Sequence, residues 1–119
     1  MQTDTVALFP PINLRTLLCH RDVDLAIHCL NSAVQLSADP VLLVIHEDGS
    51  LTPADRFKLA EALPGLRILD RNDADLIMDE LLAPYPNARA FRQSSVWGLK
   101  LLDVVLAEPG LCFYLDSDI

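Results

Sequence analysis

The stretch Val41-Leu42-Leu43-Val44-Ile45, followed by His46-Glu47-Asp48-Gly49-Ser50 and then Thr52-Pro53-Ala54-Asp55, reads as a strand, a turn and a helix start. Five consecutive apolar residues fit a strand covered on both faces, as in a parallel sheet between helical layers. Asp-Gly is a strong turn former. Thr52 suits an N-cap, Pro53 the first helical position, and Asp55 the acid of the first turn. One βα unit is therefore visible in fifteen residues, and the chain on either side repeats it.

Upstream, Phe9-Pro10-Pro11 closes an N-terminal arm (residues 1–12), and Leu14 to Cys19 reads as a short buried strand. Asp22 is placed to cap the next helix, in which Val23, Ala26, Ile27, Leu30, Ala33 and Val34 recur at three-and-four spacing. Asp39-Pro40 breaks that helix. Downstream, Leu63-Pro64-Gly65 ends the second helix, and Leu66 to Leu69 forms a third strand. Asn72 or Asp73 then caps a helix turning Ala74, Ile77, Met78 and Leu81 inward. Pro84-Tyr85-Pro86-Asn87 reads as a loop, Ser94 or Ser95 starts a longer helix to about Ala107, and Leu111 to Leu115 is the last strand.

Four strands alternating with helices predict parallel strands joined by right-handed crossovers, hence a Rossmann-like, doubly wound α/β sheet over residues 13–119. Ligands of such sheets sit beyond the carboxyl ends of the strands. Those ends carry His20-Arg21-Asp22, His46-Glu47-Asp48-Gly49-Ser50, Asp70-Arg71 and Asp116-Ser117-Asp118.

A chain of 119 residues suits one domain or one half of a larger one, and 51% hydrophobic with 22% charged residues is a globular composition. The net charge of −8, with no Lys/Arg cluster, argues against nucleic acid and anionic membranes, whose partners need a basic stripe. A single diphosphate escapes that exclusion, because a bound cation neutralises it locally. The start Met1-Gln2-Thr3-Asp4-Thr5 lacks the pattern of a signal peptide, and no apolar run approaches the ~20 residues of a transmembrane span. Cys19, Cys29 and Cys112 are odd in number, widely spaced and set in apolar runs, which fits reduced thiols in a cytoplasmic protein.

Among the polar strand ends, Phe113-Tyr114-Leu115-Asp116-Ser117-Asp118 is the most informative, since it delivers two carboxylates from a buried strand. Hard oxygen donors suit Mg²⁺ or Mn²⁺, which commonly takes one or two carboxylates and completes its shell with substrate phosphates. A solvated strand end or a helix cap is the competing reading. Asp48 is either the acid of a simple turn or an acceptor for a nucleoside. His20 and Arg21 are capping or solvated groups, or contacts to a base or ribose. Lys100, in Val96-Trp97-Gly98-Leu99-Lys100, is a surface helix lysine or a point charge for phosphate. Arg89 and Arg92 carry the same two readings. Trp97 suits a core or interface aromatic, and His28 a structural histidine.

Taken in order, Cys19-His20-Arg21-Asp22, His46-Glu47-Asp48-Gly49-Ser50 and Tyr114-Leu115-Asp116-Ser117-Asp118 resemble the nucleotide-sugar-binding half of glycosyltransferase-A fold enzymes, from about Leu14 onward. The resemblance implies a nucleoside diphosphate sugar as donor, with Mn²⁺ or Mg²⁺ bridging protein and diphosphate. It implies Asp118 as the direct metal ligand, and Asp116 contacting the ribose or acting through water. His20, Arg21 and Asp48 would surround the nucleoside, and Lys100 would contact the donor.

Such enzymes continue well past this motif with an acceptor site and, where inverting, a catalytic base. The sequence is therefore expected to be an incomplete glycosyltransferase-A-like domain, inactive alone, with its catalytic residues unassigned. Two other readings stand beside it. One is a non-catalytic α/β domain binding a nucleotide or a protein; the other is an Asp-x-Asp phosphohydrolase, whose aspartate pair normally follows an early strand rather than a fourth.

Overall fold

The computed structural model describes residues 11–116. Within them the expected alternation is present: β1 (Ile12–Leu18), α1 (Val23–Leu36), β2 (Val41–Glu47), α2 (Pro53–Ala62), β3 (Arg67–Leu69), α3 (Arg71–Leu81), α4 (Pro86–Ser94), and β4 (Phe113–Tyr114). Between α4 and β4 lies α5, residues 96–106, made of Val96–Gly98, a π-helical turn Leu99–Asp103, and Val104–Leu106. The four strands pair in the order β3-β2-β1-β4, and all three pairings are parallel. The chain is thus α/β with an all-parallel, Rossmann-like sheet.

Strand order decides where the helices go. From β1 to β2 to β3 the chain steps in one direction, and then it returns across the sheet to place β4 on the far side of β1. Right-handed crossovers in opposite directions put their helices on opposite faces. On one face Leu14 and Leu18 of β1 and Leu43 and Ile45 of β2 pack with Val23, Ala26 and Leu30 of α1 and with Leu59 and Leu63. On the other, Leu17 packs with Leu99 and Val104 of α5. The sheet is wound on both sides, as the continuous apolar run of β2 requires.

The second face also buries charge. Arg15 is fully buried in β1, and its Nη1 donates to the carbonyls of Val104 (2.6 Å) and Glu108 (3.2 Å). A cation at the carbonyl end of a helix satisfies groups that have no partner within the helix. Arg15 thereby fastens the end of α5 to the sheet. His46, only 3% exposed, lies on the same face, and burial followed by the charge of Arg15 lowers its pKa from the ordinary 6.5.

Some boundaries differ from expectation. The last strand, read as a buried run from Leu111 to Leu115, is only Phe113–Tyr114, and both residues are exposed because β4 is an edge strand paired on one side with β1. Helix α3 begins at Arg71 with Asp70 in the N-cap position, ahead of the expected Asn72 or Asp73. The expected loop at Pro84–Asn87 holds for Pro84 and Tyr85, but α4 begins at Pro86. Thr52 and Asp55 form the full reciprocal capping box, with Pro53 as read. Asp22 stands at the N-cap of α1, but its side chain makes no capping bond. Trp97 is 61% exposed, so it is no core residue. No helix among the described residues is long and apolar enough to cross a membrane.

Candidate functional site

Because all four strands run the same way, their carboxyl ends share one edge of the sheet. The strand order reverses between β1 and β4, and a doubly wound sheet leaves a crevice at that switch point. Two backbone bonds carry the edge past the regular strands: Asp48 N donates to Leu18 O (3.2 Å) and Leu115 N to Arg15 O (3.0 Å). They set the residues after β2 and β4 on either side of those after β1.

The crevice is a depression of about 220 Å³ lined by Arg21, Asp22, Asp48, Lys100 and Asp116, with Leu17, Cys19 and Val96 as its apolar part. Four residues singled out in the sequence, Arg21, Asp48, Lys100 and Asp116, therefore meet in one place. Lys100 Nζ donates to Asp116 Oδ1 at 3.0 Å, and the Tyr114 hydroxyl donates to the same oxygen at 3.1 Å. The Lys100 bond first, and the Tyr114 bond after it, hold the Asp116 carboxyl below the usual carboxylate range against an opposing effect of burial. Cys19 Sγ donates to Asp22 Oδ2 at 3.3 Å; burial, and then this bond, raise the thiol pKa. Asp118 lies outside the described residues.

His20 goes elsewhere. Its ring Nδ1 meets Asp55 Oδ2 at 2.5 Å, beside the capping box of α2, while its backbone N donates to Ser50 Oγ at 2.8 Å. The Thr52 backbone amide first, and His20 after it, lower the Asp55 pKa. Asp48 Oδ1 accepts from Ser50 N (2.9 Å) and Ser50 Oγ (2.6 Å), the self-bonded form of an Asp-Gly turn. Gly49 has φ +106°, a conformation in which side-chain-bearing residues are rare.

The loop is shaped by a residue that local reading left as part of a turn. Glu47, 6% exposed, ends β2 with both carboxylate oxygens committed. Its Oε1 accepts from Gly49 N (2.7 Å) and Leu51 N (3.2 Å); Oε2 accepts from Arg71 N (3.1 Å) and Arg56 Nη2 (3.3 Å). One buried carboxylate thus folds the turn and caps the N-terminus of α3, where negative charge is favoured. The signal for it was an acid immediately continuing an apolar strand, a position whose alternation makes it inward-facing.

Arg71 extends the network, donating from Nη1 to Asp48 O (2.9 Å) and from Nε to Asp75 Oδ1 (2.9 Å). Asp75 also pairs with Arg92 at 2.9 Å, and Arg92 forms a buried two-point pair with Asp103. A second depression, about 300 Å³, contains Asp48, Arg71 and Arg92 and adjoins the first through Asp48 and Val96. A third, about 490 Å³, continues along β2 and β3 past Glu47, Arg56 and Asp70. The carboxyl edge is therefore one polar trough, with Asp116 and Lys100 at its β4 end.

Comparison with protein-family models, curated proteins and solved structures returns no match. The site must be read from its own chemistry. Among the described residues, no three His, Cys, Asp or Glu side chains group so as to hold a metal ion by themselves. Asp116, with 38% of its side chain exposed, does present a hard oxygen donor to the crevice, with Asp22 and Asp48 on the same lining. A single carboxylate of this kind is what a divalent cation takes from a protein when phosphate oxygens and water complete its shell.

Proposed function

We propose that this chain is the donor-binding part of a metal-dependent glycosyltransferase, taking a nucleoside diphosphate sugar in the crevice between β1 and β4. The observation that carries the reading is the meeting of Asp116 with Arg21, Asp48 and Lys100 at the switch point of a parallel sheet. Asp116, and Asp118 beyond the described residues, would hold Mn²⁺ or Mg²⁺ against the diphosphate. When bound, the cation neutralises the diphosphate and favours its departure.

The chain's own residues supply the remaining electrostatics. Lys100 places an ammonium beside Asp116, within reach of phosphate oxygens in the same depression. Arg21 and Asp48 flank the nucleoside, the first as a donor and the second as an acceptor. Fixed charges aimed at a leaving group cost no reorganisation when charge develops on it. No described residue is assigned as a catalytic base.

The test is calorimetric titration of the full chain with UDP-, GDP- and ADP-sugars, with and without Mn²⁺. Binding of at least one donor that strengthens with Mn²⁺ and is lost in Asp116→Asn is the expected result. Metal-independent binding of a donor, unaffected by that substitution, would favour the non-catalytic nucleotide-binding alternative. No binding of any donor with Mn²⁺ present would end the glycosyltransferase reading.

A further inference from the structure

Of the three carboxylates lining the crevice, Asp116 is held by an ammonium, that of Lys100. Lys100 Nζ sits 3.0 Å from Asp116 Oδ1, and both residues line the depression. The ammonium also lies 4.9 Å from the centroid of the Trp97 ring, a distance at which a cation is attracted to the aromatic face. Lys100 thus has two resting partners, one anionic and one aromatic.

Its backbone is held in place by the fold. Lys100 is the second residue of the π-helical turn Leu99–Asp103, and the last residue of that turn is clamped by Arg92. Turns of this type recur inside helices at functional sites. The Cα position is therefore fixed by a buried ion pair, while the side chain keeps 23% of its surface exposed. What can move is the ammonium, between Asp116 and the depression.

We infer that Lys100 guards Asp116 until a diphosphate arrives, so that the divalent cation enters with the diphosphate and not before it. This rests on the donor-binding reading above and adds the order of events. A divalent ion placed on Asp116 Oδ1 would lie within a few ångströms of the ammonium, and two cations at about 4 Å repel appreciably even at a protein surface. A diphosphate removes the conflict. It accepts the ammonium as a point charge and ligates the metal with its own oxygens. The Trp97 ring, 4.9 Å from the ammonium, remains a partner for it when Asp116 is taken by the metal.

The experiment compares the wild-type chain with Lys100→Met and Lys100→Arg. Mn²⁺ alone is titrated first, followed by the loss of the free Mn²⁺ resonance in electron paramagnetic resonance. Each protein is then titrated with UDP, GDP and ADP in saturating Mn²⁺. Lys100→Met is expected to bind Mn²⁺ alone about 10-fold or more tightly than wild type, within the ordinary range of site-to-site coupling. Its gain in Mn²⁺ affinity on adding a nucleoside diphosphate should shrink by a similar factor. Lys100→Arg keeps the charge and should track the wild type in Mn²⁺ alone.

Wild type and Lys100→Met binding Mn²⁺ alone equally, while Mn²⁺-dependent diphosphate binding persists, would overturn the guard and leave the donor-binding reading standing. Absence of Mn²⁺-dependent diphosphate binding in every protein would overturn both. If Lys100→Met does not fold, as judged by circular dichroism, Lys100→Gln replaces it in the same comparison.

Discussion

The buried pair between Arg92 and Asp103 joins α4 to the π-helical turn, and breaking it should cost more than removing it. Arg92 Nε donates to Asp103 Oδ1 at 2.6 Å and Nη2 to Oδ2 at 2.8 Å, with both side chains 3% exposed. Removing one partner of such a pair typically costs 3–5 kcal/mol, because a desolvated charge is stranded. In Asp103→Leu the guanidinium keeps Asp75 at 2.9 Å, a half-exposed carboxylate, so the loss should fall near the lower end, about 3 kcal/mol. In Arg92→Leu the Asp103 carboxylate loses both of its guanidinium donors at once, which points to the upper end, about 4–5 kcal/mol. For a chain of 119 residues each kcal/mol shifts Tm by about 4 °C, so the two variants should melt roughly 12 °C and 16–20 °C below wild type. The double variant Arg92→Leu/Asp103→Leu removes both charges and should recover most of the loss, finishing within about 2 kcal/mol of wild type. Urea unfolding followed by circular dichroism, with a double-mutant cycle, measures all four corners. Two results would refute the reasoning: a cost below about 1 kcal/mol for Asp103→Leu, or a double variant no more stable than the worse single one.

Two further outcomes follow from close packing and from a buried titratable group. At Gly98, in α5, an added Cβ would stand 2.5 Å from Arg92 Cα and 2.6 Å from Phe91 O, both backbone atoms. Gly98→Ala should therefore destabilise by about 1–3 kcal/mol through overpacking, opposite to the gain expected from helix propensity; a thermal melt at or above wild type would contradict this. His46 has a folded-state pKa below 6.5, because burial and then Arg15 disfavour its charge, partly offset by Asp103 and Glu108, with Arg67 adding to Arg15. The unfolded chain then binds a proton that the folded chain refuses, so stability should be level above pH 6.5 and fall as pH drops from 6.5 towards the folded-state value. Urea midpoints from pH 7.5 to 5.5 should slope less in His46→Leu than in wild type, and equal slopes would exclude His46 as the cause.

What sequence could and could not show divides along the range of the forces involved. Strands β1 and β2 and the helix after each were legible because apolar runs, Asp39-Pro40 and the Thr52-Pro53-Asp55 start are local signals. Helix α4 was not, although Pro86 is well suited to a first helical position. Its buried residue is Arg92, a charged side chain, so a search for an apolar face finds none there. The start of α3 was misplaced for a related reason. Its first amide is capped by Glu47, twenty-four residues away on a neighbouring strand, and a search for a local cap settles instead on Asn72 or Asp73.

The site was legible in position and not in contact. Parallel strands force the residues after them to one edge, so alternation alone predicted that Asp48 and Asp116 would share a side, and they line one depression. No such rule governs side-chain partners. His20, which follows the same strand as Arg21, turns to Asp55, and the acid of the Asp-Gly turn spends its Oδ1 on Ser50. The partner of Asp116 was equally hidden, since Lys100 lies sixteen residues before it, in a π-helical turn that apolar spacing reads as ordinary helix. The stability experiment and the metal experiment are consequently linked. If Arg92 and Asp103 fix the turn, then the Arg92→Leu/Asp103→Leu protein should fold yet hold Lys100 less firmly against Asp116. Its affinity for Mn²⁺ alone should rise towards that of Lys100→Met, and an unchanged affinity in a folded double variant would show that the ammonium finds Asp116 without help from the clamp.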